Sequence, residues 1–437
     1  MESDYEGAQG TYEKLREFCR NKDVPLALAQ AEYNIAYLHY LRGSYGRAFD
    51  MLRKARDLAQ RVGDGYHAAL CRLDLAELFL EIGLYRDAVE MAEHAFSQFE
   101  QQGMKYEAGK ALCYWAIALT QQGKGFPAME LFARARAIFI KENNHVWSSL
   151  INFHEAVIYF NEGRLMKARQ YCLTALDFFR NYPLPSRAII CHLLLARVAL
   201  KAGEIESAGR ECQNALRGIA ECKTPILNYQ AHLVMGKIEE AGGRVEEARN
   251  QYRDAKEALD IVRNNLPGPQ LKISFIENKL EVYESLVNLC LGPGLSVDAQ
   301  TEAWNCMEEA KSRTLLELIS RKTNSTGDNA QENPLAPRIL KLRERLNWYY
   351  HRIEVEELAQ TPARAERLHE LRRHAAHYEK EFLRLFHDLP SNEAEAAGLG
   401  TPKPVPLETV REALGQTTTL IEYFRVRDIV LAAVVTL

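Results

Sequence analysis

The sequence lacks the features that place a chain on nucleic acid, across a membrane or in an oxidising compartment. Over 437 residues the formal net charge is −4, with 55 basic and 59 acidic side chains interleaved. A chain so balanced has no basic footprint for phosphate backbones, so no nucleic-acid partner is expected. No apolar run reaches the ~20 residues of a membrane-spanning helix. Ala188–Leu200 comes nearest, and it is interrupted by His192 and Arg197. The acidic, polar start has no signal-peptide core, and the expected location is cytoplasmic, with no membrane partner. The nine cysteines include no C-x-x-C pair. Cys172 and Cys212 are 40 apart, and Cys71 and Cys191 are three such intervals apart. Small core residues recur in this way; disulfides and metal ligands do not. No metal and no cofactor is expected.

What the chain does have is a period. Gly43, Gly83, Gly123, Gly163, Gly203 and Gly243 follow one another at intervals of 40. Five residues after each stands Ala48, Ala88, Ala128, Ala168, Ala208 or Ala248, and seven further on Ala55, Ala95, Ala135, Ala175, Ala215 or Ala255. Seven residues before each glycine stands Ala36, Ala76, Ala116, Ala156, Ala196 or Gly236. Each period holds two helical patterns: Leu70, Leu73, Ala76 and Leu80 share one face, and Tyr85, Ala88, Val89, Ala92, Ala95, Phe96 and Phe99 mark a second helix. The glycine turns the chain, and the alanines let the helices approach closely. Two helices cannot bury their apolar faces alone, so the units stack as a solenoid.

The Gly-to-Ala-to-Ala spacing resembles the tetratricopeptide repeat. Tyr45, Tyr85, Phe126, Leu165, Ile205 and Val245 are expected in the hydrophobic slot after the turn, Phe126 one place late. The usual period is about 34, so these helices are longer by about one turn in total. HEAT and armadillo repeats compete at this length but do not account for the spacing. The fold class is all-α: a right-handed α-solenoid over 1–265, then a long helical hairpin and a short β-hairpin. Residues 3–20 read as the second helix of a repeat whose first helix is missing, either an unusual cap or a cut chain.

After about residue 260 the phase is lost. Asn264 to Pro269 stops a long helix, and residues 266–320 read as a divergent terminal helical pair broken at Gly292-Pro293-Gly294. Residues 321–334 read as a linker. Leu335, Ile339, Leu342, Leu346, Tyr349 and Ile353 form one heptad stripe. Thr361-Pro362 looks like a helix start, and Leu368, Leu371, Ala375, Tyr378, Phe382 and Leu385 form a second stripe. Together they predict an antiparallel coiled-coil hairpin over 335–389. A Pro-rich linker spans 390–406. In 407–437, a short helix precedes two β-branched runs, Thr419–Val426 and Ile429–Leu437. The second is apolar on both faces and calls for layers on each side, so the chain is expected to stop inside a larger domain.

Glu309-Ala310-Lys311-Ser312-Arg313-Thr314-Leu315-Leu316-Glu317-Leu318 is similar to a helix of bacterial proteins that join tetratricopeptide repeats to a CHAT domain. Ser274 to Val287 is similar to the last repeats of that family, and Leu420-Ile421-Glu422-Tyr423-Phe424 resembles its opening strand. The resemblance implies a caspase-like cysteine peptidase module, with a His–Cys pair carried by later strands. No residue here matches either member of that pair, so this chain carries no catalytic residue on this reading.

Cys306 and Cys290 read as core, since no histidine lies near them in sequence. His374 and His377 sit one turn apart near Glu370 and read as a solvated face, because the partner helix offers no matching ligand set. Lys311, Ser312 and Arg313 either contact the missing domain or cap a helix end. The best functional candidate is the concave groove lined by the first helix of each repeat. Tyr33, Tyr37 and Tyr40 form one stripe there. Phe153, Val157 and Phe160 are their equivalents three units on, with Leu73, Leu80, Ile117 and Leu193 on the same track. Arg197, Lys201 and Lys237 add positive charge toward the far end. Such a groove suits a protein or peptide partner with acidic groups. Packing between helices is the competing role for each of these aromatics. The function expected is a binding scaffold that regulates the peptidase module; a non-enzymatic adaptor and a peptide-sensing regulator are the alternatives.

Overall fold

The computed structural model describes residues 5–41, 45–182, 184–222, 225–264, 279–291, 298–310, 335–358, 364–387, 405–426 and 428–436. Thirteen helices come first: α1 (Tyr5–Lys22), α2 (Pro25–Leu41), α3 (Tyr45–Arg61), α4 (Gly65–Ile82), α5 (Tyr85–Gln101), α6 (Lys105–Gln121), α7 (Gly125–Lys141), α8 (His145–Asn161), α9 (Leu165–Asn181), α10 (Pro185–Lys201), α11 (Ile205–Cys222), α12 (Pro225–Ala241) and α13 (Val245–Asn264). Then come α14 (Glu281–Cys290), α15 (298–310), α16 (Leu335–Leu358), α17 (Arg364–His387), α18 (Leu407–Leu414), β1 (Leu420–Val426) and β2 (Ile429–Val435). Among the described residues no helix is long and apolar enough to cross a membrane.

Helices α1 to α13 begin every 20 residues. The 40-residue period is therefore two half-units of equal length, each a helix of about five turns and a short corner. Nine of the corners among the described residues share one device. A residue of left-handed backbone ends the helix, and the next amide donates to the carbonyl five residues back: Leu84 to Phe79 at 2.8 Å, Met104 to Phe99 at 2.9 Å, Arg164 to Tyr159 at 2.8 Å. These bonds satisfy carbonyls that a helix end would leave unpaired. The alternate corners use Asp23, Gly63, Gly103 and Asn143, with φ of 53° at Asp23 and 51° at Asn143. Asp and Asn tolerate this backbone because a short polar side chain bonds locally.

The chain divides into two compact units: Met1–Ala202 with Leu342–Glu381, and Gly203–Lys341 with Phe382–Leu437. In the first unit, α1 to α10 pack in chain order. Ala36, Ala76, Ala116, Ala156 and Ala196 are fully buried, as are Ala48, Ala55, Ala88, Ala95, Ala128, Ala135, Ala168 and Ala175. Phe99, Phe132, Phe139 and Phe179 fill the continuous core between them. One expectation fails here. Phe126 lies 76% exposed, and the slot position falls on Gly125, where a Cβ would stand 2.9 Å from Ile158 Cγ2. Ile158 from the next helix already takes up that space, so a side chain from residue 126 is not needed.

The first unit also contains the hairpin, α16 from Leu342 and α17 up to Glu381. Leu342, Leu346, Ile353, Leu368, Leu371 and Ala375 are buried. Tyr349 stacks on His374 at 5.5 Å and on Tyr378 at 5.4 Å, while Glu356 meets Arg367 at 3.6 Å, so the helices run antiparallel. His374 is therefore part of the hairpin packing and not a solvated residue; His377 is exposed.

In the second unit α12 packs along α13, and α13 packs on α14. Gly236 stands in the alanine column because a Cβ would lie 2.5 Å from Tyr252 Cε1. Tyr252 is fully buried and donates its hydroxyl to Glu240 at 2.7 Å. Arg253 forks onto both oxygens of Glu302 at 2.6 and 2.7 Å, and Lys256 pairs with Glu309 at 2.6 Å. Val245 is 47% exposed at the slot position. Ile339 packs with Phe382 and Leu385. β1 and β2 pair antiparallel in the register Leu420↔Val435 to Val426↔Ile429, and β1 rests on α14. Phe424, Val426 and Val435 are buried on one face; Ile421, Tyr423, Val430 and Val434 are exposed on the other.

The Gly43 corner, residues 265–278, Gly292-Pro293-Gly294, the Lys311-Ser312-Arg313 segment, the 321–334 linker, Thr361-Pro362 and residues 390–404 of the Pro-rich stretch lie outside the described residues.

Candidate functional site

The first-type helices α2, α4, α6, α8 and α10 bring twelve of the thirteen candidate groove residues into the first unit. On α2 the spacing of 4 and 3 makes one aromatic row. Tyr33 and Tyr37 have ring centres 6.3 Å apart and nearly parallel, and Tyr37 and Tyr40 are 6.1 Å apart. On α8 Phe153, Val157 and Phe160 are partly exposed and pack against the core, as do Leu80 on α4 and Ile117 on α6. Leu73 and Leu193 are buried. Arg197 stands over the Phe160 ring at 4.6 Å and Lys201 at 5.1 Å. The two cations thus lie on an aromatic face, an attraction worth about 0.5–2 kcal/mol each according to exposure. Lys237 belongs to the second unit, where it pairs with Glu281 of α14 at 2.5 Å.

The structure adds a set of residues that the aromatic pattern did not reveal. Asp74, Glu77 and Glu81 lie on α4 at spacings of 3 and 4, so they share one face. Tyrosines stand beside all three: Tyr40 donates to Glu81 at 2.9 Å, and the Tyr33 and Tyr114 phenols lie near enough to Asp74 and Glu77 to feel their charge. On α6 Glu107 lies near Tyr66. Burial, then the neighbouring Glu77, pushes the Asp74 carboxyl up to about 7; Lys110 and the Tyr33 hydroxyl pull the other way. One oxygen of Asp74 is buried without a hydrogen-bond partner. Burial and the same carboxylates raise the Tyr33, Tyr37 and Tyr114 phenols, which stay protonated donors. Lys110 lies 5.8 Å from the Tyr114 ring centre. The sequence signal was available: three acids at 3 and 4 spacing on a helix that is otherwise largely apolar.

The hairpin lies on this wall. His351 has its ring 5.3 Å from that of Tyr40, and its Nε2 is 4.0 Å from Glu81 Oε1. Its Nδ1 donates to the Asn347 carbonyl at 3.0 Å, which directs Nε2 at Glu81. The Arg352 guanidinium acts on the Tyr37 phenol, and its own helix supplies Glu356 at 3.7 Å. Tyr40 is accordingly buried.

On α8, at the position equivalent to Asp74, stands His154. It is half-buried between Phe132 and Phe153, and desolvation with Arg187 nearby brings its imidazole down to about 3, so it is neutral. The second unit has a cavity of about 640 Å³ lined by Arg253, Lys256, Asp260, Glu302, Cys306 and Glu309, among others, and the pairs above neutralise much of its charge. Burial pushes the Cys290 and Cys306 thiols up to about 12, the reverse of what an attacking thiolate needs. Among the described residues no cluster of His, Cys, Asp and Glu is arranged to hold a metal ion.

Residues 27–101 match the tetratricopeptide repeat family. No curated protein sequence matches the chain. Among solved structures the chain is similar to the apo form of RapI, with a TM-score of 0.50 and 13% identity, over 66% of this chain and 99% of that one. A Rap protein complexed with competence and sporulation factor aligns over 82% of this chain and 98% of that one, with a TM-score of 0.44 and 13% identity. Aspartyl phosphate phosphatase F from Bacillus subtilis aligns over 86% and 97%, with a TM-score of 0.35 and 15% identity. At such identities the likeness to RapI is one of fold: a stack of tetratricopeptide-type helix pairs.

Proposed function

We propose that this protein is a binding scaffold whose first-helix face, from Tyr33 and Tyr37 through Ile117 to Phe153, Val157, Phe160, Arg197 and Lys201, receives an extended or helical segment of a protein partner. The observation that carries the reading is the graded lining of one face. Partly exposed apolar and aromatic side chains recur along it, with Glu77 and Glu81 toward one end and Arg197 and Lys201 toward the other. An apolar row supplies affinity, and opposite charges at its ends fix direction. Lys237, which pairs with Glu281 within the second unit, is left out of the proposed surface. The test is affinity capture with the wild-type chain and with Phe153→Ala/Phe160→Ala. A change at Phe126, which is exposed on the second-type helix α7, serves as control. Partners should be lost with the first variant and kept with the second; identical partner sets from all three would overturn the assignment.

The finer part of the proposal is that binding governs a caspase-like cysteine peptidase. It is supported by the resemblance of Glu309 to Leu318 and of Leu420 to Phe424 to proteins that join such repeats to a CHAT domain. A peptidase assay on the product of the full gene, with and without captured partner, tests it. Peptide cleavage by this chain alone would show that the catalytic pair had been sought in the wrong place.

A further inference from the structure

The wall of tyrosines and carboxylates on α2, α4 and α6 is chemically unlike the rest of the groove. Phenol faces and acids together recognise cations, by ring quadrupole and by charge-assisted hydrogen bond. The structure offers its own occupant: the hairpin presents His351 to Tyr40 and Glu81 and Arg352 toward Tyr37. Among the described residues the groups around this place include Asp74, Glu77 and Glu81 from α4, with His67 of the same helix against the Tyr33 ring, Lys110 and Tyr114 from α6, the three α2 tyrosines, and His351, Arg352 and Glu356 from α16. His351 Nε2 lies 4.0 Å from Glu81 Oε1.

We propose that the wall built by Tyr33, Tyr37, Tyr40, Asp74, Glu77 and Glu81 is a recognition site for a basic peptide segment, and that the chain's own His351–Arg352 edge occupies it. This deepens the groove reading and rests on it. A partner segment bearing a guanidinium or ammonium group enters by displacing that edge, so binding at this end and release of the hairpin are one event. Affinity for an outside segment is reduced by the fraction of time the edge is in place.

The experiment uses the full chain and a fluorescent synthetic peptide of residues 343–353, which is net basic, with an Arg352→Glu peptide as control. His351→Ala/Arg352→Ala vacates the wall and should bind the peptide at least tenfold more tightly than wild type. Adding Glu77→Gln/Glu81→Gln should remove that gain, and the control peptide should bind neither chain. Equal binding by wild type and the vacated chain, or equal binding of both peptides, overturns the proposal. Should the vacated chain fail to fold, hydrogen exchange of residues 347–355 in Glu81→Gln decides. Several-fold faster exchange than wild type upholds the contact, and unchanged exchange overturns it. If the peptide fails while partner capture still depends on Phe153 and Phe160, this site falls and the groove stands; loss of both dependences removes both.

Discussion

Glu77 and Glu81 on α4 have as their counterparts, three repeats on, Arg197 and Lys201 on α10. The aromatics beside them change in step. Tyr33, Tyr37 and Tyr40 on α2 correspond to Phe153, Val157 and Phe160 on α8. Where acids stand, the neighbouring rings carry hydroxyls, and Tyr40 donates its own to Glu81. Where bases stand, the ring is bare, and Arg197 and Lys201 lie over its face. The backbone is the same at both places, so the difference teaches that ring chemistry sets which charge a repeat can hold. A hydroxyl satisfies an anion, and a bare π-face satisfies a cation.

Three changes break or sharpen that contrast. The largest effect is expected at Asp74. Its folded carboxyl is raised from an ordinary 3.8 to about 7, so the folded chain keeps a proton that the unfolded chain has lost. Stability therefore falls as pH rises from about 4 to about 7 and stays low above that range. At ~1.4 kcal/mol per pH unit the loss is of order 4 kcal/mol. Asp74→Asn should flatten this fall in denaturant titrations between pH 4 and pH 8; an unchanged slope would locate the acidic strain elsewhere. Next, Phe160→Ala removes the platform for two cations and part of its packing, and should cost about 2 kcal/mol by chemical denaturation. Phe160→Tyr should cost far less. Smallest, Arg197→Glu/Lys201→Glu gives the fifth repeat the charges of the second without its hydroxyls. A loss of about 1 kcal/mol is expected in thermal melts at low salt. A gain in stability would mean that the bare ring does not discriminate.

Much of the fold was legible because small residues mark close approaches. Every alanine of the three columns is fully buried, and Gly236 departs from its column for the plain reason that Tyr252 fills the space. The half-period of 20 is hidden in the sequence because its corners are not uniform: Asp23 and Asn143 stand on either side of Gly63 and Gly103 and reach the same backbone by a different side-chain chemistry. The aromatic row of the site followed from spacing. Its acids did not, since three carboxylates at helical spacing look the same on paper whether they face water or phenols. The hairpin's seat on that wall was beyond reach, because His351 and Tyr40 are joined by no local pattern. Phe126 misled for the opposite reason: a ring one place from an expected slot looks like its occupant until Ile158 is seen there already.

The equal spacing of helix starts has a consequence for ancestry. A segment duplicated or lost in steps of two helices arrives with its corners, small columns and ring positions already aligned to its neighbours. A slip of one or two residues inside any helix rotates every later contact out of place. Growth of such a molecule therefore proceeds by copying whole units, and new specificity arises afterwards, by exchanging a hydroxyl here and a charge there within an unaltered frame.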